Sequence, residues 1–292
     1  MNPGLQDLLN VLEPERLEIN IFRGVSRDIG SAQVFGGQVL GQALRAASNT
    51  VEAGRLAHSL HAYFLRRGDF HAPIIYFVDR SRDGHSFTSR RVTAIQHGEQ
   101  IFHMAASFQT AQPGVEHQTV MPDVPLPESL GETPLVSHVR SGALPEAARQ
   151  LPAVAVPFEF RLVEPADSAL CEHSLPVHNM WIRTVDRLPD DEVLHRCLLA
   201  YVSDFHLLNA ATLPHAELFN NARTVTASID HAMWFHRPIR LDEWFLCSNV
   251  SPSASGARGF ARGSVYTRAG VLAASTAQEG LVRLLDAPTL KN

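Results

Sequence analysis

The order of secondary-structure signals in this chain is stated twice, so a fold that suits one half has to suit the other. In the first half, Phe35-Gly36-Gly37-Gln38 leads into a helical pattern from Val39 to Ser48 built of Val, Leu, Ala and Gly with little charge. A helix apolar nearly all round is a buried helix, and its small residues let other backbone come close. Strand-like runs follow at His58 to Leu65, Pro73 to Arg80, Ser86 to Gln96 and Gln100 to Gln109, the last two joined at His97-Gly98. In the second half, Pro189-Asp190-Asp191-Glu192 supplies an acidic first turn for a helix from Val193 to about Leu208. Runs at Thr224 to Phe235, Glu243 to Val250, Ala257 to Thr267 and Val271 to Arg283 come next, with a turn at Ala269-Gly270. At an offset of roughly 170, His61-Ala62 falls on His231-Ala232 and Ser107-Phe108-Gln109 on Thr276-Ala277-Gln278. A buried helix followed by antiparallel strands, given twice, predicts an α+β fold of two sheets, each curled round a helix and joined edge to edge.

Between the halves, Ala111 to Phe158 carries eight prolines that break any helical or strand period, and it reads as a crossover linker. The expected organisation is a first half over 1–110, a linker over 111–158 and a second half over 159–292, and 292 residues exceed the usual single core. A net charge of −5 argues against a non-specific nucleic-acid binder. Cys171, Cys197 and Cys247 are widely spaced and form no C-x-x-C pair, which points to neither a disulfide framework nor a zinc ribbon and fits a reducing cytoplasm. Asp7 and Glu13 stand where a signal peptide needs a basic start, and no stretch is long enough to span a membrane.

One helical face holds an anomaly. Val193, Cys197, Tyr201, Asp204 and Leu208 are spaced by four, four, three and four, so Asp204 shares an apolar stripe. A carboxylate placed there incurs a desolvation cost unless it is paired or hydrogen-bonded, a setting that suits a general base or an Asp satisfied by backbone amides. Strict alternation from Thr224 puts Thr226, Ser228, Asp230 and Ala232 on one face and Ile229, His231, Met233 and Phe235 on the other. Ser228 on the more polar face can bind water, and Gln278, ending an apolar run, can donate to one group while accepting from another. Strand hydroxyls and edge glutamines are common, so the pattern alone leaves both open.

Several segments together resemble the acyl-CoA thioesterase II family over nearly the whole chain outside the linker. They are Val34 to Ala43 (VFGGQVLGQA), His61 to Asp69 (HAYFLRRGD), Asp83 to Val92 (DGHSFTSRRV) and Leu198 to Asp204 (LLAYVSD), then Ile229 to Pro238 (IDHAMWFHRP), Ser253 to Phe260 (SASGARGF) and Gln278-Glu279-Gly280. The resemblance implies a double hot-dog fold that hydrolyses acyl-CoA through an Asp, Thr and Gln constellation, with neither metal nor cofactor and without an acyl-enzyme. Asp204 and Gln278 match two of those positions. Ser228 stands where the family usually has threonine, keeping the hydroxyl and losing the methyl that stiffens its rotamer. Gly36 and Gly37, through free backbone amides, and His61 and Arg90 are the candidates for oxyanion or substrate contacts. The open alternatives are a dehydratase or hydratase of the same fold and an acyl-CoA binder without chemistry. Hot-dog sheets expose edges and apolar faces, so a homodimer or homotetramer is expected.

Rival constellations lack their context. Gly84-His85-Ser86-Phe87-Thr88 misses G-x-S-x-G at its last position and precedes no helix. His58 with His61 and His231 with His236 have no partner at a metal-motif spacing, and Gly36 to Gly41 is not G-x-G-x-x-G.

Overall fold

The computed structural model describes residues 1–29, 33–133, 157–163, 176–215 and 224–284. Helix α1 (Pro3–Val11) precedes strands β1 (Glu15–Glu18) and β2 (Ile21–Gly24), followed by helix α2 (Gly36–Ser48) and strands β3 (Leu56–Phe64), β4 (Ile74–Asp83), β5 (Phe87–Gln96) and β6 (Glu99–Gln109). After the proline-rich stretch come β7 (Phe158–Val163), β8 (Val177–Thr184), α3 (Glu192–Ser203) and a single turn, α4 (Asn209–Thr212). The chain continues through β9 (Thr224–Ser228), β10 (Asp230–Phe235), β11 (Phe245–Ser255), β12 (Arg258–Thr267) and β13 (Leu272–Leu284).

All the strands join one antiparallel sheet in the order β1-β2-β4-β5-β6-β3-β10-β13-β12-β11-β8-β7, with β9 beside the end of β13. Read inward from either end the order is the same, β7 and β8 answering β1 and β2, and β11, β12, β13 and β10 answering β4, β5, β6 and β3. The halves meet where β3 and β10 pair, Ala62 opposite His231 and His61 opposite Ala232. This is the double hot-dog arrangement: two curled sheets fused at an edge, so neither half leaves its central edge strand open to other chains. The sequence offset matches letters and not places. Inward residues are Leu60 and Ala62 in β3 but His231 and Met233 in β10, so His61 is exposed where His231 is wholly buried.

Helix α2 is buried over Gly37 to Leu44 and again at Ala46 and Ala47. It lies antiparallel against α3, Gly37 beside the Tyr201 carbonyl and Gly41 beside the Cys197 carbonyl. A methyl at Gly37 would overlap the Tyr201 oxygen, so only glycine permits this approach. Two polar side chains inside this apolar helix are satisfied: Gln42 donates to the carbonyls of Val11 and Val25 at 2.6 and 2.8 Å and accepts from the Tyr76 hydroxyl, while Gln38 accepts from the Arg27 amide at 2.8 Å.

The two helices begin differently. Asp191 caps α3 by accepting from the amides of Val193 and Leu194, whereas Phe35 at the same position of α2 contributes no side-chain bond. Helix α3 stops at Ser203, five residues short of the expected Leu208, with Asp204 as its C-cap. Helical spacing holds as far as Asp204. Beyond it Phe205 turns into a ring cluster with Phe35, at 4.3 Å between centroids, and Tyr201, at 5.5 Å, and this packing outweighs the local preference for helix.

The described part of the linker crosses the outer face of the second sheet. Met121, Val124 and Leu130 pack on a cluster of Trp181, Trp244, Leu246 and Tyr266. Gln118 pairs with the carbonyl of Gly270 and the amide of Leu272, and the Trp181 indole donates to the Pro125 carbonyl. The segment is therefore a cover for an apolar patch as well as a connection.

Candidate active site

Asp204, Ser228 and Gln278 converge, although 24 and 50 residues separate them along the chain. The Gln278 amide nitrogen donates to Asp204 Oδ1 at 2.6 Å and to Ser228 Oγ at 3.0 Å, and the Ser228 hydroxyl points to the same Oδ1 at 3.4 Å. Gln278 is 1% exposed and the Asp204 side chain 4% exposed, so the carboxylate is held in a dry setting by neutral donors. Gln278 Oε1 is buried and has no hydrogen-bond partner among the described residues, which leaves an acceptor beside the carboxylate.

The strand carrying Ser228 does not alternate as the sequence pattern predicts. Ser228 pairs with Gly280 and Ala232 with Ala277, so Ile229, Asp230 and His231 lie opposite only Gln278 and Glu279. This is a β-bulge. The Asp230 carboxylate fastens it by accepting from the Glu279 amide at 2.7 Å, and Ile229 donates to the Glu279 carbonyl at 2.9 Å. Ser228 and His231, expected on opposite faces, both turn inward to Asp204 as a result, with His231 Nδ1 3.7 Å from Oδ1.

The other carboxylate oxygen faces the first half of the chain. A Cβ on Gly36 would stand 2.7 Å from Asp204 Oδ2, so Oδ2 lies against the uncapped start of α2. The first-turn amides of Gly36 and Gly37 have no acceptor inside their helix, and the helix dipole is positive at this end. One half supplies the acid, hydroxyl and amide, and the other supplies an anion-favouring helix terminus.

A cleft of about 210 Å³ opens beside this cluster, with Gly36, Ala227 and Ser228 in its wall. Val34, Val39, Phe64, Ile101 and Phe102 give it an apolar side, and Gln33, Arg66 and Arg67 line it as well. Arg66 is paired with Glu99 at 2.9 Å, while Arg67 is exposed and has no ion pair or hydrogen bond among the described residues.

Two of the residues expected to contact substrate lie elsewhere. His61 is on the outer face of the sheet, edge-on to Trp234 at 5.2 Å. Arg90 is 2% exposed and sits past the far end of α2, donating to Thr50 Oγ1, to the carbonyls of Thr50, Arg82 and Ser89, and to Asp83. Its guanidinium is spent on structure, tying β5 to the end of the helix. The HAYFLRRGD segment does reach the cleft, through Phe64, Arg66, Arg67 and Gly68 in place of His61.

The N-terminal segment 25–109 matches the model of the acyl-CoA thioesterase N-terminal domain, and 167–281 matches that of acyl-CoA thioesterase. The sequence is 41% identical to acyl-CoA thioesterase 2 of Haemophilus influenzae, over 98% of this chain and 100% of that one. The chain belongs to the acyl-CoA thioesterase family. It is also 40% identical to acyl-coenzyme A thioesterase 8 of Homo sapiens, over 94% of this chain and 88% of that protein. Acyl-CoA thioesterase II TesB2 of Mycobacterium marinum has the same fold, with a TM-score of 0.80 at 43% identity, covering 96% of this chain and 99% of that one.

Within this thioesterase-family chain no described cysteine is poised as a nucleophile. Burial pushes the Cys197 and Cys247 thiols up to about 12, far from a thiolate at neutral pH. Sequence reasoning did not single out His231 for the site. Alternation sets it on the apolar face with Met233 and Phe235, which are buried as it is, but opposite Ser228, and the bulge that brings His231 and Ser228 to one carboxylate breaks the period used to assign faces.

Proposed function

We propose that the chain hydrolyses acyl-CoA thioesters to the free acid and CoA by direct attack of water, with Asp204 as general base and Ser228 and Gln278 as the groups that hold the water. The observation that carries this reading is the division of labour on one carboxylate. Oδ1 is occupied by Gln278 and Ser228, and Oδ2 is turned to the start of α2 beside the cleft. A water lodged there can pass its proton to Asp204 while its oxygen attacks the thioester carbon. The Gly36 and Gly37 amides are suited to the oxyanion of the tetrahedral intermediate, whose collapse breaks the C–S bond and releases CoA as its thiol after protonation. The apolar side of the cleft suits an acyl chain, and Arg67 suits a phosphate of the coenzyme.

The segments 1–110 and 159–292 act as two half-sites joined by 111–158, and the chain works as a homodimer or homotetramer in a reducing cytoplasm. Supporting this are the buried free thiols of Cys197 and Cys247 and the exposed Phe77, Phe87, Tyr63 and Trp234 on the sheets. No helix among the described residues is long and apolar enough to cross a membrane.

Release of free thiol from a series of acyl-CoAs tests the reaction, and Asp204→Asn tests the base. The amide keeps the shape and cannot take the proton, so turnover should fall roughly 10²-fold or more with the fold intact. A folded Asp204→Asn protein with native turnover would remove Asp204 from the mechanism. Hydration of an enoyl-CoA without thiol release would favour the dehydratase or hydratase alternative.

A further inference from the structure

We propose that His231 is a positioning residue for Asp204, locked by Ser203 in the tautomer that carries its proton on Nδ1 and presents it to Asp204 Oδ1. The inference rests on the assignment of Asp204 as the base and extends it to the group behind the base. His231 is 0% exposed, and its two ring nitrogens face different partners. Nε2 lies 3.0 Å from Ser203 Oγ, while Nδ1 lies 3.7 Å from Asp204 Oδ1 with no hydrogen-bond partner among the described residues. A ring nitrogen buried without a partner is costly, and here it is aimed at a carboxylate.

The Ser203 hydroxyl has a single proton and stands 3.0 Å from both the Ala200 carbonyl and His231 Nε2. If it donates to Ala200, the neutral ring must donate from Nε2, and a bare Nδ1 lone pair then faces Asp204. If it donates to Nε2, the proton sits on Nδ1 and faces Oδ1. Against an ionised Asp204 the second arrangement attracts and the first repels, so Ser203 selects the tautomer as the carboxylate requires. Oδ1 then accepts hydrogen bonds from Gln278 and Ser228 and has the Nδ1 proton beside it as an added electrostatic attraction, which holds the carboxylate with Oδ2 toward the start of α2. The ring touches no substrate and exchanges no proton with it.

Two isosteric halves of the ring separate this role from mere packing. His231→Gln places an amide near the Nε2 position, keeping a partner for Ser203 and leaving none for Asp204. His231→Asn places its amide near the Nδ1 position and keeps a donor toward Asp204. With thiol release as the assay, His231→Gln should lower kcat on the order of 10- to 10²-fold with KM little changed, since a displaced base costs rate more than binding. His231→Asn should recover most of that loss. On the native enzyme, imidazole nitrogen NMR near neutral pH should show Nδ1 protonated and Nε2 bare, a readout that survives even if both variants fail to fold. A bare Nδ1, or equal kcat in the two folded variants, overturns the inference. Asp204→Asn is run beside them. If it keeps native turnover, the reading of the base itself falls; if it is inactive while His231→Gln is native-like, only the role of His231 falls.

Discussion

Gly36→Ala separates the chemistry from the fold more sharply than removal of a catalytic group. Its methyl would stand 2.7 Å from Asp204 Oδ2 and 3.1 Å from Phe64 Cε1, where ordinary contact begins at 3.4 Å, so the carboxylate has to retreat by 3.4 − 2.7 = 0.7 Å. Asp204 turns on one short side chain whose Oδ1 is held at 2.6 Å by Gln278, so a retreat of that size swings the carboxylate off its present line and strains that bond. Misplacing a reacting group by about 1 Å costs up to about 10²-fold, so kcat should fall on the order of 10- to 10²-fold. The backbone does not object: Gly36 is not among the positive-φ residues, and at the first position of the helix an alanine adopts the same conformation without strain. The expected variant is as heat-stable as the parent and slow. Thiol release at saturating acyl-CoA gives kcat, and a thermal melt gives Tm. Native kcat at unchanged Tm would refute the placement of Oδ2 against the start of α2. Gly37→Ala supplies the contrast, because its methyl meets the backbone carbonyl of Tyr201, which cannot swing away, so Tm itself should drop.

Other outcomes follow from the same geometry. Ser228→Ala should lower kcat by roughly 10- to 10³-fold at little changed KM, about 1.4 to 4 kcal/mol, and Ser228→Thr should restore a hydroxyl; an unchanged kcat in folded Ser228→Ala would make it an ordinary strand residue. Gln278→Ala should be severely slowed while Gln109→Ala, a half-buried residue paired with Leu56 and Phe87, keeps its kcat, and equal losses would mean that both halves are catalytic. Arg67→Glu should raise KM for acyl-CoA roughly tenfold without slowing saturated turnover, as measured by initial rates across substrate concentration.

What could be read in the sequence was whatever is periodic and local. Helix α2 and the strands β3 to β6, β12 and β13 sit within about three residues of their expected bounds, because long runs alternate cleanly and glycine turns separate them, while β11 runs five residues past its expected end at Val250. The short edge strands escaped notice. Strand β1 is exposed at every position, so it has no apolar side to reveal it, though Phe158, Phe160 and Leu162 do alternate in β7. At the site, Asp204 was visible as a charge on an apolar stripe. That His231 and Ser228 meet at the same carboxylate was not, since it depends on one extra residue in a strand, and neither was the diversion of Arg90 to Thr50 and Asp83, since a buried and a substrate-facing arginine look alike in a string of letters.

The likeness of the two halves gives the proposed active site a reflected counterpart, where the same helix ends carry different residues. Antiparallel packing sets the start of α3 beside the end of α2, where Arg45 reaches Asp191 at 3.7 Å. The residue there that corresponds to Asp204 as the cap of its helix is Asn49, whose amide donates to Glu13 and which has no carboxylate to act as a base. The helix start that corresponds to Gly36 is closed, its amides already taken by Asp191. The helix start is capped in one half and bare in the other, and the helix end carries an acid in one half and an amide in the other, so only one of the two mirrored positions sets a carboxylate against free amides, and that position draws its acid and its amides from different halves of the chain.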